Sequence, residues 1–462
     1  MKALLILFLT AIVVLFAGLL KKRDLIQSLR IGGTLAALVV TAIDLYQGSR
    51  WFNELYAPMF RFDDYALSFT AVALLATLLL FGLTRWGFRE LHDTLGDHYA
   101  LILFSLCGAL CMFSFTNMVM LFLGIEILSI PLYVLAGSRR DDLRSNEAAM
   151  KYFLMGSFAT GILLFGIALV YGSTASFDLA QINSVIVAKG HSPQMLSVGI
   201  LLIVIGLSFK ISAAPFHFWA PDVYTGSPTI ITAFMATVVK TAGFAAFYRL
   251  FSTAFTGAGE FWMAALAMIA GLTMILANTT AIFQTNFKRM MAYSSISHAG
   301  YLLLAVLVAG QPGAAGAMLY YTLVYSLATI CAFGCFLLVA EQNQDETFAA
   351  FNGLSKKQPF LAGAMALSML TLAGVPPTAG FFGKYFLFTA AFDEYPWLVV
   401  LAVINSAVSI YYYFKVIIAM YFTAEANAYE VMVPRGFRWA IVAGLTLIAL
   451  LTFIPGSVYN LM

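Results

Sequence analysis

Residues 201–228 read LLIVIGLSFKISAAPFHFWAPDVYTGSP. An apolar run leads to Lys210, and five residues later the chain meets Pro215. A run this apolar predicts a membrane span, and the proline breaks it, removing a backbone donor and clashing with the carbonyl one turn back. In lipid the freed backbone groups must be satisfied by protein or water, so a broken span marks a packed, wet interior. The pattern recurs at residues 370–388, LTLAGVPPTAGFFGKYFLF, where Gly374, Gly380 and Gly383 flank Pro376-Pro377 and Lys384 follows seven residues after Pro377.

The rest of the chain agrees with a membrane setting. Of 462 residues, 62% are hydrophobic and only 10% charged, against about 25% charged in soluble domains. On the criterion of about 20 apolar residues per span, about fourteen spans are predicted. They lie near 1–20, 29–46, 66–84, 98–116, 117–137, 147–172, 195–219, 227–255, 261–283, 290–310, 313–340, 358–392, 396–422 and 436–458. The first ends in KKRD rather than a small-residue cleavage site, and so reads as a span and not a leader. Only Thr116-Asn117 separates the fourth and fifth.

Positive charge follows loop parity. Odd loops hold Lys21, Lys22, Arg23, Arg85, Arg89, Arg139, Arg140, Arg144, Lys288, Arg289, Lys356, Lys357, Arg435 and Arg438; even loops hold Arg50, Arg61 and Lys189. The positive-inside rule then puts odd loops in the cytoplasm and both termini on the outer face. A shift of 168 residues lays Ser129, Tyr133 and Leu135 on Ser297, Tyr301 and Leu303. It also lays Met150, Tyr152, Ile162, Phe165 and Gly166 on Met318, Tyr320, Ile330, Phe333 and Gly334. Segments 5 and 6 would then match segments 10 and 11. Five spans is an odd number, so the second copy is inverted, as in many transporters with a midplane ion site.

Four charges sit deep in these spans: Glu126, Lys210, Lys240 and Lys384. Each costs at least roughly 2.5–3.5 kcal/mol at mid-bilayer depth, so a line of them suggests a route for protons or other cations. Burial favours the neutral form of both acid and amine, and proximity favours both charges. A mobile Glu126–Lys210 contact would therefore switch proton retention, whereas a static ion pair would only hold helices together. Lys240 has no acid nearby in sequence and suits a group that takes up and releases a proton. Lys384 is expected to be the terminal donor. His298 suits a relay between the halves or is a packing residue. His217 and Asp222 follow the first break, at a cytoplasmic mouth or as caps of the next helix. Lys415 is a snorkelling anchor or part of a proton inlet. Tyr411, Tyr412 and Tyr413 read as packing or interfacial residues, and Glu147 with Lys151 as a solvated pair leading into a helix.

Other chemistry finds little footing. Cys107/Cys111 and Cys331/Cys335 are spaced like helix-face packing residues and make a poor metal site without histidines or carboxylates. No dinucleotide fingerprint or phosphate-binding loop is present. The chain is expected to hold no metal or cofactor and to bind no nucleic acid.

Five stretches carry a likeness to a known family: LFLGIEILSIPLYVLAG, EAAMKYFLMGSFATGILLFGIALVYG, FKISAAPFHFWAPDVYTGSPTIITAFMATVVKTAGF, NFKRMMAYSSISHAGYLL and GLSKKQPFLAGAMALSMLTLAGVPPTAGFFGKYFLF. They resemble the antiporter-like membrane subunits of bacterial respiratory complex I, over about residues 60–425. Lys384 argues against the branch with glutamate there, and the short stretch after segment 14 against the longer branch with a lateral helix. The resemblance implies an all-α polytopic membrane protein of about fourteen transmembrane helices, with two inverted five-helix repeats and segments 7 and 12 broken. The expected units are 1–97 (helices 1–3), 98–255 (first repeat, helices 4–8), 256–425 (second repeat, helices 9–13) and 426–462 (helix 14).

By the same resemblance Glu126 and Lys210 are the paired charges, Lys240 the central lysine and Lys384 the lysine of segment 12. The implied function is proton translocation in the cell inner membrane, coupled to quinone reduction elsewhere. Further antiporter-like and other membrane subunits would be the partners. NADH, FMN, iron–sulfur clusters and quinone would reside in other subunits. A subunit of a multisubunit sodium–proton antiporter, a subunit of a membrane-bound hydrogenase and a purely structural membrane subunit are the competing expectations.

Overall fold

The structure, a computed structural model, describes residues 1–20, 22–48, 58–87, 94–189, 194–424 and 432–462. Lys21, Arg50 and Arg89, and the side chains of Arg85 and Lys189, lie outside the described residues. Twelve helices are long and apolar enough to cross a bilayer. Two further crossings are each made of two half-helices, which brings the described segments to the expected fourteen.

In chain order the helices are α1 (Lys2–Leu19), α2 (Arg23–Gln47), α3 (Asp64–Gly87), α4 (Leu95–Ser114), α5 (Met118–Ala136) and α6 (Leu143–Thr174). Segment 7 is α7a (Gln194–Lys210) and α7b (Trp219–Gly226). Then come α8 (Thr229–Thr253, with a π-turn at Met235–Val239), α9 (Gly259–Ile282), α10 (Phe287–Leu307) and α11 (Ala314–Asn343). Segment 12 is α12a (Pro359–Ala373) and α12b (Ala379–Phe392), followed by α13 (Pro396–Phe422) and α14 (Arg435–Phe453). A helix over Leu179–Lys189, absent from the predicted spans, lies in the loop after α6.

Helices α4, α8, α10 and α11 are almost wholly enclosed. Helices α1, α2, α6, α13 and α14 ring them and turn apolar stripes outward, including Phe16, Phe158, Phe165, Val403 and Ile404. So much exposed apolar surface is at home only in lipid or against a partner. Close packing of α4 on α5 depends on Gly108, where a Cβ would fall 2.3 Å from the Leu128 backbone nitrogen; small residues serve this purpose between membrane helices.

Thr116-Asn117 suffices to separate α4 from α5, because the Asn117 side chain accepts from Val119 N and caps the new helix. Asn286 caps α10 in the same way, accepting from Arg289 N. Asn117 also bridges Asp178, and Asn286 bridges Thr347. Both breaks fall at the predicted prolines, and each contains a cis X-Pro bond, Ala214-Pro215 and Pro376-Pro377. The chain leaves α7a through Ser212 (φ +61°) and α12a through Gly374 (φ +77°). The carbonyl of Phe209 accepts from Ser212 N and from the Trp219 indole, both at 3.0 Å, and Leu370 O accepts from the backbone of Gly374 and Val375.

Candidate functional site

Lys210 is the last residue of α7a, its position set by the break, and is buried. Its ammonium donates to Ser129 Oγ of α5 at 2.6 Å, and Ser129 donates in turn to Ile125 O. Glu126 stands one turn from Ser129 on α5, half-buried beside the outward-facing Ile127 and Ile130. Its charge acts on Lys210, yet among the described residues no ion pair joins the two. Lys210 thus rests on a neutral hydroxyl, the arrangement of an open rather than a closed Glu126–Lys210 contact. Residues three apart on a helix have Cβ atoms about 5–6 Å apart, within the swing of a lysine stem. A cavity of about 10 Å³, lined in part by Ser129, Tyr133, Tyr152 and Lys210, adjoins the ammonium.

Lys240 opens the α-helical half of α8, directly after the π-turn. Such turns are frequent at functional sites, since they re-aim the side chain that follows. The buried ammonium donates to Ser295 O at 2.6 Å and also to Ser295 Oγ, both on α10. His298 lies three residues on along α10, fully enclosed. Tyr321 Oη lies 2.5 Å from its Nδ1, and Tyr413 Oη 2.9 Å from its Nε2. Tyr413 also meets Ser294 Oγ at 2.5 Å. With both ring nitrogens held by hydroxyls, which donate or accept as needed, the imidazole can pass a proton in at one nitrogen and out at the other. The charges that bear on it are Lys384 and Lys240.

Lys384, buried on α12b, reaches back across its own break. It donates to Ala373 O at 2.6 Å and to Ser406 Oγ of α13 at 2.7 Å. Ala373 ends α12a, whose last carbonyls lack helical partners and carry the negative end of the helix dipole. Lys384 Nζ lies 5.2 Å from the Tyr301 ring centroid. Each of the three lysines therefore rests on neutral oxygens, with no carboxylate bonded to it among the described residues.

The flanking candidates resolve as follows. Asp222 caps nothing; it lies in the first turn of α7b and pairs with Lys151 at 2.7 Å and Arg289 at 3.2 Å. Glu147 and Lys151 belong to α6 itself and pair at 2.6 Å. His217 occupies the turn before α7b, where its carbonyl accepts from Ala220 N. Lys415 donates to Ile282 O, the last residue of α9, at 2.5 Å. Tyr412 and Tyr413 are packed in the core, their rings 4.6 Å apart, and also bond: Tyr412 donates to Asn278 at 2.9 Å and Tyr413 bridges Ser294 and His298. Lys288, read as a loop charge, is buried. Tyr321, Tyr413, Ser129, Ser295 and Ser406 are polar groups of the site that only the structure reveals. Serines and tyrosines are too common for their type alone to mark them.

Residues 116–409 match the family described as NADH:quinone oxidoreductase/Mrp antiporter, TM. The NADH-quinone oxidoreductase subunit N of Cytophaga hutchinsonii is 45% identical over 379 residues, covering 82% of each chain. That of Flavobacterium psychrophilum is 39% identical over 449 residues, covering 97% of each. Among solved structures, a chain of respiratory complex I from Thermus thermophilus with bound aureothin superimposes with a TM-score of 0.83. It is 33% identical and covers 99% of this chain and 98% of its own.

Proposed function

The chain belongs to the subunit N family of NADH-quinone oxidoreductases, antiporter-like membrane subunits of respiratory complex I, and from that premise we propose that Glu126, Lys210, Lys240, His298 and Lys384 are the stations of its proton path. Other membrane subunits of the complex are its partners. The observation that carries the reading is the resting place of each buried ammonium on serine hydroxyls or backbone carbonyls. A fixed carboxylate would trap the charge, whereas neutral acceptors let a proton be held and released. His298, bonded through both nitrogens, links the Lys240 and Lys384 regions.

The two broken helices and the repeated Asn117 and Asn286 caps support a division into two inverted five-helix halves, with five crossings between the caps. The loop charges support outer-facing termini. On this reading the chain does no redox chemistry. NADH, FMN, iron–sulfur clusters and quinone belong to other subunits, and quinone reduction there drives protonation changes along the file. In assembled complex, Lys240→Met or Glu126→Gln is expected to depress NADH-driven proton uptake by inside-out vesicles. Full pumping in both would sink the assigned roles. Sodium–proton exchange without a redox partner would instead support the antiporter reading, which the family's description also covers.

A further inference from the structure

On the face of the odd loops, the starts of α4 and α8, the α5–α6 turn and the end of α11 enclose an open vestibule of about 1080 Å³. Its wall carries Asp97, Asp142, Glu341 and Glu346, with Arg139 and Arg140. Glu346 is held on both oxygens: Oε2 accepts from Asn286 at 3.2 Å and Oε1 pairs with Lys288 at 3.1 Å. The Glu346 side chain keeps 31% of its surface exposed, while that of Lys288 keeps 2%. The other Lys288 bonds go to Thr225 O at 3.0 Å and Ser227 O at 3.1 Å, at the end of α7b. An ammonium has three donors, so Glu346 and these two carbonyls use all of them.

Inward of this pair the polar groups continue. Lys288 lies seven residues before Ser295 on α10, two helical turns or ~10 Å along the axis. Ser295 holds Lys240 and is faced by Tyr224 and Tyr325. Tyr224 is the residue before Thr225, whose carbonyl binds Lys288, so two consecutive residues of α7b reach the two levels. Ser227 Oγ, buried beside Lys288, has no hydrogen-bond partner.

We propose that Glu346 and Lys288 form the gate through which protons pass from this vestibule toward Lys240. This rests on the proton path proposed above. A proton from vestibule water neutralises Glu346 and frees Lys288 from its ion pair. Lys288 gives one proton inward, toward Tyr224 and Ser295, and regains one from Glu346. One proton has moved in, and both gate groups return to their starting charge.

A purely structural reading makes Lys288 a cap on the α7b carbonyls, for which Glu346 need not titrate. The test uses assembled complex in inside-out vesicles, where this face meets the medium. Glu346→Gln keeps an oxygen for Lys288 and removes the titration. It should lower NADH-driven proton uptake at least threefold, while NADH oxidation by a water-soluble acceptor that bypasses the membrane arm is unchanged. Separately, Ala340→Cys on the vestibule wall is labelled after assembly with a bulky, membrane-impermeant thiol reagent, so folding plays no part. The native cysteines of this chain are buried, and parent complex treated identically controls for the other subunits. Labelling should lower uptake relative to the unlabelled variant. Undiminished uptake in labelled Ala340→Cys or in assembled Glu346→Gln, with Lys240→Met impaired, overturns the gate and leaves the path standing. Normal uptake in Lys240→Met overturns the path, and the gate with it.

Discussion

Ser129→Ala tests the most specific feature of the site, the resting of Lys210 on a hydroxyl with Glu126 one turn away. The 2.6 Å bond has a charged donor, and such bonds contribute about 1.5–3 kcal/mol. At 1.4 kcal/mol per factor of ten, its loss shifts the balance between parked and Glu126-paired Lys210 by about ten- to a hundredfold. The serine also gives up its bond to Ile125 O, which the helix tolerates because that carbonyl is already in its ladder. With the parking place gone, Glu126 is the strongest acceptor within reach, and the ion pair holds the proton. Proton uptake by inside-out vesicles is expected to slow roughly tenfold at unchanged assembly. Ser129→Thr, which retains the hydroxyl, should pump at close to the parent rate. Two outcomes would refute the reasoning: parental pumping in Ser129→Ala, or a Ser129→Thr defect as deep as that of alanine.

Three further substitutions probe the rest of the file. Gly374→Ala forces a left-handed residue, costing about 1–2 kcal/mol, and its Cβ would fall 2.8 Å from Lys384 Cδ; the melting temperature of purified complex and its pumping should both fall. Tyr413→Phe removes the hydroxyl shared by Ser294 and His298 and orphans a buried ring nitrogen, at about 1–3 kcal/mol. Its pumping should drop several-fold, while Tyr411→Phe, at an exposed neighbour, pumps normally. Lys415→Met loses a helix-end bond to Ile282 O and so about 1 kcal/mol of stability; proton uptake should persist, and its loss would restore Lys415 to the proton inlet.

Sequence alone determined where the chain crosses the membrane, which two crossings break and which charges lie at depth. These are local properties. Hydropathy sums over about 20 neighbours, a proline breaks the turn it occupies, and a lysine in an apolar run is costly wherever the run folds. The family likeness rests on the same stretches. Tertiary structure decided what each charge touches. Lys240 meets Ser295 across 55 residues of sequence, Lys210 meets Ser129 across 81, and His298 meets Tyr413 across 115. Ser129 is the resting place of Lys210, with Glu126 one turn away, and Lys288 lies buried at the start of α10 rather than in a solvated loop. No sequence period encodes such contacts. They depend on which helix faces meet and on how far a break or π-turn rotates one side chain, and a hydroxyl or carbonyl becomes a partner only when another helix carries a charge to it.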